Sequence, residues 1–318
     1  MLCPDCNNPT FKAGKNRNGS RRFGCGLCGK TFTDPATRPH DNRRLDQDKR
    51  VMVLRMILEG NSCRSTARLT GVKVDTVVAA VVEAGTACKA FLERVVKDVE
   101  VENVQADEIW GFVGMKERTR KLRRIDEGAS VGDAWVFVAT ERDTKLVVAW
   151  HLDKRNQEAT EAFARKLKGA TRGRFQLSTD GWKPYVPAVW YAFGQNIDMA
   201  QLVKVYGKDP HVKAREARYS PPVVIDCYAR VGLGKPDMDR VSTSHVERQN
   251  LSIRMGMRRM TRLTNGHSKK WENHEAAFAL WFAYFNFCRV HMTLGTTPAV
   301  ASGLAIQPWS VAELLEQV

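Results

Sequence analysis

Apolar positions recur along this chain with two different spacings, and the change between them falls near residue 99. Before it, Val51, Leu54 and Leu58 share one side of a helix predicted over Asp46–Leu58, which Glu59-Gly60-Asn61 ends. Ser62 is placed to cap a second helix through Leu69, Gly71 marks a turn, and Val74–Glu83 reads as a third helix with Asp75 or Thr76 near its start. Beyond residue 99 short apolar runs take over. Val101–Ile109 reads as a strand, and Asp133–Thr140 with Leu146–Leu152 as a hairpin joined by Glu141–Lys145. Phe175–Thr179 and Met199–Val205 add two strands. Asn156 is placed to cap a helix to Leu167 that buries Ala159, Phe163 and Leu167, and Pro184 opens a helical stretch to Phe193. Lys116–Arg124 reads as a basic loop, 207–241 as an irregular insertion, and 301–318 as a C-terminal tail. Ser244–Met260 and Trp271–Cys288 are two long helices, the second apolar enough to be core.

Three antiparallel strands, a helix, a strand, a helix and a strand form the element order of a ribonuclease-H-like α/β fold, with a mixed five-stranded sheet and flanking helices, over residues 99–300. The helices of 46–98, with a glycine turn before the last, resemble a helix-turn-helix. The third helix, VDTVVAAVVEAG, has few base-reading side chains, so a helical linker or dimerisation element is the other reading. Residues 34–45, with two prolines and mixed charge, read as a linker.

With 318 residues the chain has room for two or three domains. A formal charge of +15 and a pI near 9.6 point to a polyanionic partner. Nucleic acid is favoured over membrane, because the chain has no apolar run of about eighteen residues and its start, MLCPDC, lacks the layout of an export signal. Four of the eight cysteines form two CxxC pairs, Cys3/Cys6 and Cys25/Cys28, with eighteen residues between them (25 − 6 − 1). That spacing predicts a zinc ribbon over 1–33, a segment with too little core to fold without its Zn2+. Its Lys12–Arg22 stretch reads as a flexible basic loop. Cys63, Cys88, Cys227 and Cys288 are scattered among apolar residues, which suits a reducing cytoplasm.

The candidate chemistry lies in acidic residues at strand ends. In VENVQADEIW, Asp107 and Glu108 stand where apolar residues would continue. Alternation along a strand sends them to opposite faces, so they are not expected to share one site. A second strand, Leu177-Ser178-Thr179-Asp180-Gly181, also ends on an acid, and Glu247 lies on a basic helix. On that helix Glu247, Asn250, Arg254 and Arg258 are spaced to share a face. Trp182 and Tyr185, just beyond Asp180, could stack on a base or pack a helix on the sheet.

These motifs, in this order, resemble the DDE-type insertion-sequence transposases, closest to the insertion-sequence-one family. The matching residues are the paired CxxC, Asp107-Glu-Ile-Trp110, Thr179-Asp180-Gly181 and His245-Val-Glu247-Arg248-Gln-Asn250. Phe285-Asn286-Phe-Cys-Arg289-Val-His291, then Leu294 and Thr297-Pro298, is similar to the closing motif of many transposases and integrases. The resemblance implies a catalytic triad of Asp107, Asp180 and Glu247 holding two Mg2+ or Mn2+ ions, with Asp107 between them. It implies double-stranded DNA as partner, both element ends and target, and a homodimer or higher oligomer on it. Asn250, Arg254 and Arg258, with Lys116, Arg118, Arg120 and Arg123 of the basic loop, are the expected DNA contacts. The interval from Asp180 to Glu247 (247 − 180 = 67) is long for the group, which leaves Glu216, Asp226 and Asp237 as rival third acids. Alternative readings are a related nuclease or resolvase, and an inactive domesticated copy that regulates by binding DNA.

Overall fold

A computed structural model describes residues 1–16, 19–34, 45–126, 130–207 and 223–318, in two compact units, Met1–Arg50 and Val51–Val318. In the first, β1 (Thr10–Lys15), β2 (Arg21–Cys25) and β3 (Thr31–Thr33) form an antiparallel sheet in that order. The Cys3–Cys6 turn precedes β1, and the Cys25–Cys28 turn joins β2 to β3. Most of the expected basic loop is therefore hairpin, with Lys12 opposite Phe23 and Lys15 opposite Arg21. Apolar packing is sparse: Phe23 stacks on Phe32, while Phe11 is exposed. All but residues 34 and 45 of the expected linker fall outside the described residues.

α1 (Gln47–Leu58) begins in the first unit and runs into the second, where α2 (Cys63–Thr70) and α3 (Val74–Val95) follow. Ser62 caps α2, its Oγ accepting the Ser65 amide at 3.0 Å, and Gly71 ends it at φ 68°, where a side chain would be strained. α3 runs twelve residues past the expected end (95 − 83), because Ala84, Cys88, Phe91 and Leu92 continue its buried stripe. Gly85 lets α3 meet the helix Trp271–Phe287 closely, since a Cβ there would lie 2.0 Å from the Ala276 carbonyl oxygen. The three helices are thus built into the same body as the sheet.

The remaining elements follow in chain order: β4 (Val99–Glu100), β5 (Asn103–Val113), α4 (Glu117–Leu122), β6 (Gly132–Glu141), β7 (Val147–Asp153), α5 (Gln157–Ala170), β8 (Thr171–Arg172) and β9 (Gln176–Asp180). Then come α6 (Tyr185–Phe193), β10 (Asp198–Gly207), β11 (Val223–Leu233), α7 (Ser244–Gly256), α8 (Trp271–Phe287), α9 (Pro298–Ala301) and α10 (Val311–Gln317). The main sheet has six strands, in the order β11-β10-β9-β5-β6-β7. β9 is parallel to β5 and β10, and the other pairs are antiparallel. β4 and β8 form a separate parallel pair.

Four expectations are corrected here. The sheet has six strands instead of five, because β11 occupies much of the supposed irregular insertion; it pairs along β10 with most of its side chains exposed, so no burial pattern marks it in the sequence. The basic loop contains the short helix α4. The helix predicted to Met260 stops at Gly256, where a Cβ would lie 2.0 Å from the Trp281 ring, and after the extended Met257 only a 3-10 turn, Arg258–Met260, follows. The C-terminal segment is a packed helix: Ser310 and Glu313 form a capping box for α10, and Val311 and Leu314 are buried.

α5 and α6 cover one face of the sheet, through Phe137, Phe163 and Tyr185. α7 and α8 cover the other, where Trp150 meets Phe282. α8 is buried nearly all round, and its Asn286 side chain accepts the Val147 amide at 3.0 Å and donates to the Val147 carbonyl at 2.9 Å. Those bonds hold β7 where its register slips beside Thr140. No helix among the described residues is long and apolar enough to cross a membrane.

Candidate functional site

The sheet creates a gap at its centre. β9 pairs with β5 only from Asn103 to Ala106 and ends at Asp180, so past Ala106 one edge of β5 loses its neighbour until Val113 bridges to Ser268. Ala106 lies opposite Thr179, which sets Asp107 and Asp180 side by side on the rim of that gap. Carboxylate oxygens of Asp107, Glu108 and Asp180 lie within 4.8 Å of one another. The expectation that Asp107 and Glu108 could not share a site is corrected. Alternation does send their Cβ atoms apart, but at an open strand edge carboxylates from both faces reach the same space.

Burial chiefly, then the charge of Asp180, pushes the Asp107 carboxyl up to about 6. The same causes push Glu108 up to about 7. Partial compensation comes from the buried Tyr185 hydroxyl, which acts on Glu108, and from two further residues. Asn250 Nδ2, on α7, donates to Asp107 Oδ2 at 2.9 Å. Arg155 donates from Nε to Glu108 Oε2 at 3.0 Å, and its Nη2 lies 3.0 Å from the same oxygen and 3.6 Å from Asp180 Oδ2. The guanidinium is held over the Trp182 ring at 3.9 Å and faces the Trp135 ring at 5.0 Å. Asn250 Oδ1 is buried and accepts no hydrogen bond, and buried Glu108 Oε1 has no partner at hydrogen-bond geometry, the Tyr185 hydroxyl lying near the carboxylate. Hard, oxygen-only donors with unsatisfied buried oxygens and an excess of negative charge fit a divalent cation such as Mg2+ or Mn2+.

Glu247 stands apart from this cluster. It lies in the first turn of α7, accepts from Thr243 Oγ1 at 2.6 Å, and forms an ion pair with Lys204 of β10. Its charge still reaches Asp107, adding to the upward shift there. Among the rival acids, Asp226 Oδ1 accepts the neighbouring Cys227 amide, and Asp237 caps the turn at Asp239 and pairs with Arg240. Glu216 lies outside the described residues. His245 turns its ring to Lys145, and Tyr185 is fully buried, so neither meets a substrate from this position.

The expected DNA contacts divide. Asn250, expected on DNA, is instead bonded to Asp107. Arg254 is half-buried, donating to the Trp110 and Met260 carbonyl oxygens, each at 3.1 Å. Arg258 is exposed on the 3-10 turn, so the straight stripe from Glu247 to Arg258 does not exist. Arg120 is buried, paired with Glu117 at 2.7 Å and bonded to the Ile125 carbonyl, which makes it part of the framework of α4. Arg118 and Arg123 are exposed, and the Lys116 ammonium lies over the Trp110 and Phe112 rings. Glu108 was set aside by the alternation rule, and Arg155 carried no sequence signal beyond a cation between a strand and a helix cap.

In the first unit the four cysteine sulfurs lie within 4.8 Å of one another, with Cys3–Cys28 at 3.6 Å and Cys6–Cys25 at 3.5 Å. These separations exceed a disulfide bond and come close to the edge, about 3.8 Å, of a tetrahedron with Zn–S bonds near 2.3 Å. Backbone amides of Cys28 and Leu27 lower the Cys25 thiol to about 6, while burial and the three neighbouring sulfurs push Cys28 up to about 12, so the cluster as a whole gives up its protons only to a cation. Compared with models of protein families, the chain matches none.

Proposed function

We propose that the second unit is the catalytic domain of a DNA transposase with a ribonuclease-H-like sheet, and that the first unit is a zinc ribbon serving it. The observation that carries this reading is the trio of carboxylates at the open edge of β5, with Asp107 and Glu108 raised in pKa by burial and by the charge of the more exposed Asp180. A lone structural ion pair needs one acid, whereas here three converge and the single guanidinium reaches only Glu108 and Asp180. Asp107 and Asp180 are the metal-binding pair. Glu247, a helical turn from the Asn250 that touches Asp107, is the third ligand once its side chain leaves Lys204. Bound divalent ions would activate the attacking oxygen and stabilise the leaving 3′ oxygen of an in-line phosphodiester displacement.

The chain's own residues do the rest. Asn250 fixes the Asp107 carboxylate, and Arg155 neutralises Glu108 and steadies Asp180. Basic residues around the gap draw in the DNA backbone. In the first step water attacks the phosphodiester and frees a 3′ hydroxyl. In the second, that hydroxyl attacks a target phosphate, so one site serves both and no covalent protein intermediate forms.

Pre-cleaved duplexes carrying the DNA that borders the gene, incubated with Mn2+ and target plasmid, test this reading. Joined products that depend on Asp107 and Asp180 support a transposase. Nicking without joining would assign the fold to a nuclease instead.

A further inference from the structure

The gap beside β5 continues away from the carboxylates as a groove of about 500 Å³. It runs along the free edge of Trp110–Phe112 and is closed on its far side by residues 259–267. Lys116, Arg254, Arg259 and Arg262 line it with His267, and no acidic residue does. None of these four cations forms an ion pair with an acid among the described residues. Arg254 and Arg259 spend their donors on neutral oxygens: Trp110 and Met260 carbonyls for one, Ser268 Oγ and the Asn273 carbonyl for the other. Burial, and then the nearness of Arg262, lowers Arg254 to about 10, so the groove carries positive charge that nothing on the protein balances.

Aromatic rings stand beside this charge. Trp110 and Phe112, two residues apart on one face of β5, have centroids 5.8 Å apart and are both half-buried. Lys116 lies 5.8 Å from one ring and 5.9 Å from the other, and His267 packs on Phe112 at 4.5 Å. An inorganic anion would use the cations and leave the rings idle. Stacked bases of an intact duplex present no face to them. A nucleotide whose base is unpaired uses both features. Trp110 follows Glu108 by two residues on the same face of β5, about 7 Å at the usual rise, so a strand crossing the carboxylates reaches the groove directly.

We infer that this groove is a binding site for unpaired nucleotides of the DNA strand next to the scissile phosphate, with Trp110 as the stacking platform and Lys116 and Arg262 as phosphate contacts. It deepens the proposed function by naming the form of DNA the site takes: a strand frayed from its complement. The two ideas fail separately, because binding in the groove needs no divalent metal and strand chemistry does.

The full chain, without Mg2+ or Mn2+, is titrated with a short fluorescent oligothymidylate and with a duplex of the same length. Trp110→Leu should weaken the single strand by roughly 5- to 150-fold, the usual range for losing one stacked base, while duplex affinity changes little. Arg262→Ala, at an exposed residue, should lower the salt slope for the single strand by about 0.7, whereas Arg165→Ala on α5 should not. A 5-iodouracil in the oligonucleotide should photocrosslink to the peptide containing Trp110, a result independent of any variant's folding. Equal binding of duplex and single strand by the native chain, or crosslinks confined to other peptides, would overturn the inference. So would an Arg262→Ala slope equal to that of the native chain. Trp110-dependent binding in a protein without metal-dependent cleavage would sustain the groove and sink the catalytic reading.

Discussion

Replacing Asp107 by Asn should destroy the proposed chemistry and yet make the metal-free protein more stable at neutral pH. Asp107 titrates near 3.8 in the unfolded chain and at about 6 in the fold, because burial and the neighbouring Asp180 charge disfavour its ionised form. The native state therefore binds more protons than the unfolded state between these values, and stability falls as pH rises from about 4 to about 6. Above pH 6 the whole penalty is present. A shift of about 2.2 units corresponds to about 3 kcal/mol. Asparagine removes that penalty and keeps an oxygen for the Asn250 amide. Urea unfolding followed by tryptophan fluorescence measures the effect in the right place, since all eight tryptophans lie beyond residue 50. In buffers lacking Mg2+ and Mn2+, the stability of Asp107→Asn relative to the native chain should improve by about 2.5 kcal/mol between pH 4 and pH 8, the rest of the penalty being already present at pH 4. Using the difference between two pH values cancels any pH-independent effect of the amide. A change below about 1 kcal/mol would refute the view that Asp107 is held as a costly, unpaired carboxylate.

Other consequences follow from the same packing and charges. Arg155→Gln removes the cation that sits on Glu108 and Asp180, so Mn2+ affinity measured calorimetrically should rise roughly tenfold; weaker binding would show that Arg155 shapes the site more than it competes for it. Gly85→Ala puts a methyl group against the Ala276 carbonyl and should cost about 1–3 kcal/mol or more in urea unfolding, and a neutral change would mean that α3 and α8 separate easily. Cys25→Ser should lower zinc content from one ion per chain toward zero by metal analysis, with loss of the order of the first unit; retained zinc would exclude the four-sulfur site.

Much of this organisation was legible in the sequence because its signals are local. Ser62, Gly71 and Asn156 mark helix ends by side chains or conformations that act within a few residues, and they cap where expected. The cysteine spacing fixed which four sulfurs converge. Long-range features were not legible. β11 has exposed side chains and gains its place only by pairing with β10, so its periodicity says nothing about burial. The end of α7 depends on Trp281, twenty-five residues on (281 − 256), filling the space where a side chain of Gly256 would go. Glu108 joins Asp107 and Asp180 because β9 is short, a fact of strand pairing and not of composition. The lure of a straight helical stripe likewise missed that Arg254 is engaged by backbone carbonyls.

Divalent-metal-dependent cleavage of duplex DNA spanning the borders of the gene tests the proposed site most directly. The native chain should cut this DNA with Mg2+ or Mn2+ and not when these ions are omitted. Asp107→Asn and Asp180→Asn, shown folded by their fluorescence, should fall to background, and Glu247→Gln should fall with them if its side chain moves from Lys204 to the metals. Cleavage at the native rate by a folded Asp107→Asn or Asp180→Asn protein would contradict the assignment of these carboxylates as the catalytic centre.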